Sequence, residues 1–227
     1  MIYAIKDSIK VEAIPRSTAN CPMCGEKVIS KCGEINVWHW AHEAKINCDY
    51  FGEHETAWHR DWKKCFAKEN TEIIIQNDGK KHIADVCYKG KVLELQNSPI
   101  SPDQINEREN FYKNMIWVFN GYDFFSNFDI RKKEGEYFSF RWKHPRKSIW
   151  ACNKRVFFDF GFCGFLTNHA YDRNYEYTDY GWDIDLRNYC HEKIFEIKKI
   201  YHNTPCGGWG FIKCCDVLVD MFKNEDE

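Results

Sequence analysis

Apolar and polar positions change period several times along the chain, and the changes divide it into elements. Residues 2–14 place Ile5, Ile9, Val11 and Ile14 in a short apolar pattern that predicts an opening strand or hairpin. Pro15 to Asn20 reads as a turn. Residues 21–50 have no long periodic segment and are rich in Cys, His and Gly, as in a small ribbon held by something other than a core. Gly52 to Asn70 predicts a helix. Trp58, Trp62, Cys65 and Phe66 form its apolar face, Glu53 and Glu55 fall in its first turn where the dipole favours acids, and Asn70 suits its end.

Three strand-like runs follow, TEIIIQ (71–76), HIADVCY (82–88) and VLELQ (92–96), separated by the turn signals Asn77-Asp78-Gly79 and Lys89-Gly90-Lys91. Ser101 to Asn114 predicts a second helix with cap and first-turn chemistry at Ser-Pro-Asp. The fully apolar MIWVF (115–119) predicts a strand inside a sheet, reached from Gln96 by a parallel crossover through that helix. Residues 121–148 are polar and partly basic, 149–170 strand-like and aromatic, 192–201 a strand or short helix, and 212–222 a helix. The expected architecture is α/β, a mixed sheet flanked by helices, with a small module over residues 1–50 and a larger domain over 51–227.

Composition narrows the classes. The chain has 227 residues, 44% hydrophobic and 29% charged, with 17% aromatic, which argues against disorder. A net charge of −2 excludes a polybasic sheath but not a local basic groove. No run approaches the roughly 18 apolar residues of a membrane helix, and MIYAIKDSIK is not a secretory signal. A cytoplasmic, reducing setting is expected, so the 12 cysteines point to metal binding or plain burial before disulfides.

Cys21-Pro-Met-Cys24-Gly25 is a knuckle that aims two thiolates at one point. Tetrahedral Zn²⁺ needs four N or S ligands. The expected set is Cys21, Cys24, His42 and Cys48, with His39 in place of His42 if the latter faces out and Cys32 the weakest candidate. A complete shell implies a structural ion. Cys190, His191, Cys206, Cys214 and Cys215 are spaced irregularly, and burial is their default reading.

A second constellation is acidic. Asp85 sits in one strand and Glu94 and Gln96 on one face of the next, and a hairpin about Lys89-Gly90 brings them together. Converging carboxylates call for a cation, and Mg²⁺ or Mn²⁺ takes oxygen ligands. Glu55, His59 and Lys63, four apart, share a polar helix face from which a Glu could complete the metal shell.

These residues resemble a known family. The run Asp85, Glu94, Gln96 resembles the PD-(D/E)XK nuclease core, with Gln where most members have Lys. More narrowly, CPMCGEKVI (21–29), WHWAH (38–42), Cys48, the Glu55/His59/Lys63 series, IADV (83–86), LELQNSPIS (93–101), Glu107-Arg108 with Tyr112, and IWV (116–118) resemble the competence protein CoiA-like family, in family order over residues 20–120. The resemblance implies a zinc-ribbon-like module on a restriction-endonuclease-like core. It also implies an active-site set of Glu55, Asp85, Glu94 and Gln96, with Mg²⁺ on Asp85 and Glu94. Ser98, Arg108 and Tyr112 match family positions, and Arg108 reads equally as a phosphate contact or a brace. Glutamine is neither a cation nor a base, so Gln96 can only orient by hydrogen bonds.

The implied activity is phosphodiester hydrolysis in DNA processing. The alternative is a catalytically silent nucleic-acid-binding or adaptor protein on the same fold. Lys63, Lys64, Lys89, Lys91, Arg108 and Lys113 are candidates to line a polymer groove. Tyr137, Phe138, Phe140 and Trp142, among the bases of 131–147, are candidates either to stack on unpaired bases or to fill a core. Nothing in the sequence separates DNA from RNA, single from double strand, or monomer from dimer.

Overall fold

The computed structural model describes residues 1–35, 37–44, 48–132, 137–160, 193–201 and 206–214, with Val219 and Phe222. The expected features at Cys190, His191 and Cys215 lie outside these residues. The protein is a mixed α/β chain with two sheets and few helices, and it divides into two compact units. One holds Met1–Ser98 with Asn110–Asn114, the other Pro99–Glu109 with Met115–Glu227.

In the first unit, β1 (Tyr3–Lys6), β2 (Ile9–Glu12), β3 (Thr18–Asn20), β4 (Lys27–Lys31) and β5 (His39–His42) form an antiparallel sheet in the order β2-β1-β3-β4-β5. Its core is small: Ala4, Ala13, Ala19, Cys21, Val28 and Trp40. The segment read as a turn at 15–20 contributes β3. Trp40 supplies most of the bulk, and its indole donates to the Val11 carbonyl (3.0 Å). So thin a core needs a further constraint.

Helix α1 runs only from Ala57 to Lys64, shorter than the pattern predicts, and a 3-10 turn covers Lys68–Asn70. Thr56 is the N-cap, its hydroxyl accepting the His59 amide (3.3 Å). Glu53 and Glu55 therefore precede the helix, and its first turn holds no acid. The buried stripe is His59, Trp62, Lys63 and Phe66, while Cys65 is exposed. Helical spacing is kept, but the face is rotated onto residues that look polar.

Strands β6 (Thr71–Asn77), β7 (Lys80–Tyr88) and β8 (Lys91–Gln96) form an antiparallel meander. Both connections are two-residue turns with positive φ at each residue, Asp78 (48°) and Gly79 (75°), then Lys89 (48°) and Gly90 (79°). That is the turn whose twist matches paired strands. The second turn sets Val86 opposite Leu93. Ala84, Val86, Leu93 and Leu95 are fully buried.

Helix α2 spans Pro102–Tyr112. The second unit then carries β9 (Met115–Asn120), β10 (Phe128–Lys132), β11 (Tyr137–Trp142), β12 (Arg155–Asp159), β13 (Lys193–Tyr201) and β14 (Cys206–Cys214). β9 pairs parallel with β12, and β12, β13, β14, β11 and β10 continue antiparallel. Residues 193–201 thus form a strand. Of the helix expected over 212–222, residues 212–214 belong instead to β14, Val219 and Phe222 are helical, and the others lie outside the described residues. Phe140 and Trp142 are buried, with Phe140 stacked on Phe128 (4.6 Å between centroids). They fill the core and are not available to stack on bases. Gly210 passes so close to β13 that a Cβ would lie 2.0 Å from the Glu196 carbonyl oxygen. Among the described residues no helix is long and apolar enough to cross a membrane.

The β7–β8 turn is the local determinant of the site's register. Gly90→Ala is expected to lower the unfolding free energy by about 1 kcal/mol, because the side chain must adopt positive φ. Lys89→Asn is expected to raise it, Asn being favoured there. Urea denaturation midpoints measure both, and equal midpoints would remove the turn's assigned role.

Candidate functional site

Two constellations in the first unit carry chemistry. The first is the cysteine knuckle. The Gly25 amide donates to the Cys21 carbonyl (2.9 Å), the Cys21 amide to the Glu26 carbonyl (2.8 Å), and Gly25 takes φ +79°. The strand pair β4–β5 sets His42 opposite Val28. The ligand atoms of Cys21, Cys24, His42 and Cys48 all lie within 4.8 Å of one another. Cys21 Sγ is 3.7 Å from Cys48 Sγ, and Cys24 Sγ is 3.2 Å from His42 Nε2. A tetrahedral ion with Zn–S near 2.3 Å has an S···S edge of about 3.8 Å. The four could therefore hold a metal such as zinc. His39 is outside the cluster, its ring against the Val37 carbonyl (2.7 Å) and beside His54. Cys32 packs on the module core. Burial raises the Cys21 thiol, and burial with the neighbouring Cys21 and Cys24 pushes Cys48 up to about 12. Thiols held protonated in this way release their protons when a metal binds.

The second constellation surrounds Lys63. Its Nζ lies 3.1 Å from Glu55 Oε2, 3.1 Å from Glu72 Oε1 and 3.0 Å from Asp85 Oδ1. Lys63, Glu55 and Glu72 are buried, and Asp85 is partly open. Burial opposes the lysine's charge, but Glu72, Asp85 and Glu55 outweigh it and raise its pKa well above the usual value. Burial likewise opposes ionisation of Glu72. Lys63 and the amides of Ile2 and Tyr3 (2.7 and 2.9 Å) reverse that and bring its pKa to about 2.

The sheet places these acids in a row. Thr71 faces Val86 and Ile73 faces Ala84, so Glu72 lies opposite Asp85. On the other side Val86 faces Leu93, the last pair of the β7–β8 ladder, and Asp85 and Glu94 are the next residues along each strand. Asp85 Oδ2 accepts the Leu95 amide (2.9 Å). Glu72 has φ +48°, unusual for a residue with a side chain.

The expected members thus separate. Glu55, Lys63 and Asp85 come together, although Glu55 arrives from the segment before α1 and Lys63 is buried, so it cannot line an open groove; Glu94 is buried on β8. Gln96 follows on β8, buried, its amide on Glu53 and the Ser98 carbonyl. His59 bonds Thr56 through Nδ1 (2.8 Å) and lies 3.4 Å from Glu53 Oε2. Tyr112 packs with Phe51 and Phe111. In the second unit Arg108 is buried with its guanidinium 5.9 Å from the Trp117 ring, and its neighbour Glu109 accepts the Trp117 indole (3.0 Å). Burial there fits a brace. Lys64, Lys89 and Lys113 are exposed.

Sequence reasoning missed three residues. Glu72 hides in a run that reads as an ordinary strand. Glu53 reads as a first-turn acid but accepts from Asn97 N (3.0 Å), Ser98 N (3.3 Å) and Ser98 Oγ (2.6 Å). Burial raises its pKa, but the bonds from His59, Ser98 and Asn97 prevail and lower it. Asp49, next to Cys48, accepts the Ile83 amide (2.7 Å) and faces His82 Nδ1 (2.9 Å). Its signal was its position beside a metal-ligand candidate.

Divalent-cation fit can be judged from charge. Three carboxylates around one ammonium leave a surplus of two formal negative charges. Glu55 Oε1 is buried with no hydrogen-bond partner among the described residues. All these donors are hard oxygens, which suit Mg²⁺ or Mn²⁺.

Comparison with known proteins adds one finding. Residues 7–51 match the family model of the competence protein CoiA N-terminal domain. That stretch spans the whole cysteine–histidine cluster and most of the five-stranded sheet. No curated protein and no solved structure matches the chain.

Two outcomes follow from this geometry. Removing the metal with a strong chelator, or substituting Cys24→Ser, is expected to lower the thermal midpoint, and elemental analysis should fall from one zinc per chain toward none. Zinc content unchanged in Cys24→Ser would remove Cys24 from the set. The second concerns acid. The folded Glu72 pKa lies below its unfolded value, so its contribution is present above about pH 4.5 and is lost as pH falls toward 2. Glu72→Gln should flatten the fall of thermal midpoint with pH across that window. An acid limb as steep as wild type would contradict it.

Proposed function

We propose that this protein is a metal-dependent nuclease of the competence protein CoiA-like kind, acting on nucleic acid, with DNA the expected substrate. The proposal includes a cytoplasmic setting, a restriction-endonuclease-like core and a structural zinc in the N-terminal module. The observation that carries it is the convergence of Glu55, Glu72 and Asp85 on the buried Lys63, which balances their charge only in part. The match over residues 7–51 supports the family side of the reading.

Asp85 and Glu94 would hold the Mg²⁺ or Mn²⁺. Such an ion polarises a phosphate oxygen and lowers the pKa of water. The chain's own residues supply the rest. Glu55 and Glu72 fix the Lys63 ammonium beside Asp85. Lys63, with its raised pKa, stays charged and cannot act as a base. It contributes positive potential where a phosphate would gain negative charge. Gln96 orients by hydrogen bonds.

One observation favours the silent reading. Lys63 Nζ is 3.0 Å from Asp85 Oδ1 and already neutralises part of the charge a metal would meet. Cleavage decides between the two. Linear, circular and single-stranded DNA, and RNA of the same sequence, are incubated with Mg²⁺ or Mn²⁺. Cutting by wild type is expected, with loss of at least about a hundredfold in Asp85→Ala and Glu94→Ala, both retaining zinc. Binding of DNA without any cutting by wild type would favour the adaptor.

A further inference from the structure

Four donors from one short stretch of chain hold Glu53. Its Oε1 accepts the Ser98 hydroxyl (2.6 Å) and the Gln96 side-chain amide, its Oε2 accepts the Asn97 amide (3.0 Å), and the Ser98 amide is shared between the two oxygens (3.3 Å to each). Successive backbone N–H groups converging on one point are the usual construction of an anion nest. A fifth donor is only partly used. His59 is buried, its Nδ1 is engaged by the Thr56 hydroxyl (2.8 Å), and its Nε2 lies 3.4 Å from Glu53 Oε2. That exceeds the roughly 2.7–3.2 Å of a good hydrogen bond, and Nε2 has no closer partner among the described residues. The donor set is thus wider than a planar carboxylate fills. A tetrahedral anion has further oxygens with which to meet the imidazole.

The nest is open to a ligand and adjoins the acidic centre. Ser98 is exposed, and Glu53 stands between the exposed Gly52 and His54, outside any helix or strand. On β8 the Leu95 amide donates to Asp85 (2.9 Å), and the next three residues build the nest. On α1, Lys63 meets Asp85 while His59, four residues earlier, meets Glu53. Residues so spaced have Cβ atoms about 5–6 Å apart. An anion in the nest is therefore a near neighbour of the Lys63 ammonium.

We propose that these donors form a phosphate subsite for the nucleic-acid substrate, occupied in the free protein by Glu53 as an internal anion that a substrate phosphate displaces. The inference rests on the nuclease reading. Glu53 then acts as a gate: with its carboxylate in place the subsite is closed, and its departure removes one negative charge from beside the incoming backbone. The donors keep an anionic partner in both states, so the exchange leaves none of them unsatisfied.

The test follows the Asn97 and Ser98 backbone amides by ¹⁵N NMR of the full chain without added divalent metal, with thermal midpoints alongside. The probes are inorganic phosphate and a short oligodeoxynucleotide, each compared with chloride at equal ionic strength. Glu53→Ala should lower the midpoint, because the donors lose their acceptor, and should bind phosphate at least about tenfold more tightly than wild type does. Phosphate should then raise the midpoint of the variant by more than that of wild type. Ser98→Ala in the Glu53→Ala background should weaken the binding again. In wild type the oligonucleotide should shift both amides. The inference is overturned if Glu53→Ala binds phosphate no better than wild type, or if Ser98→Ala leaves that affinity unchanged. Should Glu53→Ala not fold, wild type decides, and an oligonucleotide that leaves both amides unmoved overturns it. Phosphate bound by Glu53→Ala with no response of wild type to the oligonucleotide makes free phosphate the ligand and overturns the substrate assignment. The two readings fail separately: a wild type that cuts no nucleic acid, while phosphate fills the emptied nest, removes the nuclease and keeps the anion subsite.

Discussion

A lysine ammonium is costly to bury, and Lys63 is tolerated only because three carboxylates meet it at hydrogen-bond distance. The partners come from three places: the segment before α1, the start of β6 and the middle of β7. Holding Lys63 therefore fixes the helix against the meander. The same requirement explains why α1 starts late, since Glu55 must lie in extended chain to reach back to the lysine two turns on. The left-handed backbone at Glu72 has a matching role, because it turns that carboxylate toward both Lys63 and the first strand of the module. Removing the ammonium would leave like charges facing one another in a poorly hydrated space, a change usually worth several kcal/mol.

Around this centre the site is layered by charge. The inner ring is acidic with one cation. Outside it lies the Glu53 nest, where backbone amides, a hydroxyl and His59 stabilise the carboxylate. The two layers meet at β8, where the Leu95 amide donates to Asp85 and the next residue, Gln96, donates to Glu53. Lys64, Lys89 and Lys113 stay exposed, so the surface cations and the buried ammonium are different residues.

Much of the frame was legible. Asp78-Gly79 and Lys89-Gly90 announce their hairpins because glycine removes the cost of positive φ, and MIWVF announces a buried strand by its unbroken apolarity. The four metal-ligand candidates were legible from spacing, since a knuckle constrains its partners to nearby chain. The buried polar network was not. Local pattern assigns Glu53 and Glu55 to a helix start and Lys63 to an open face. Their real partners, Ser98 for Glu53 and Asp85 for Lys63, are far away in sequence. Burial of charge depends on those partners, and periodicity carries no record of them. Glu72 was hidden for the same reason, sitting where a strand tolerates any residue.

The Asp49 anchor joins two constellations that might otherwise be treated apart. Cys48 supplies a sulfur to the metal-ligand cluster, and the next residue holds the Ile83 amide of β7, two positions before Asp85. Occupancy of one centre and order at the other thus share a short covalent and hydrogen-bonded path. Thermodynamic reciprocity then applies in both directions. Were the cluster to hold an ion, its loss would leave molecules with differently tethered β7 strands, and a ligand that steadied Asp85 would in turn favour the filled cluster.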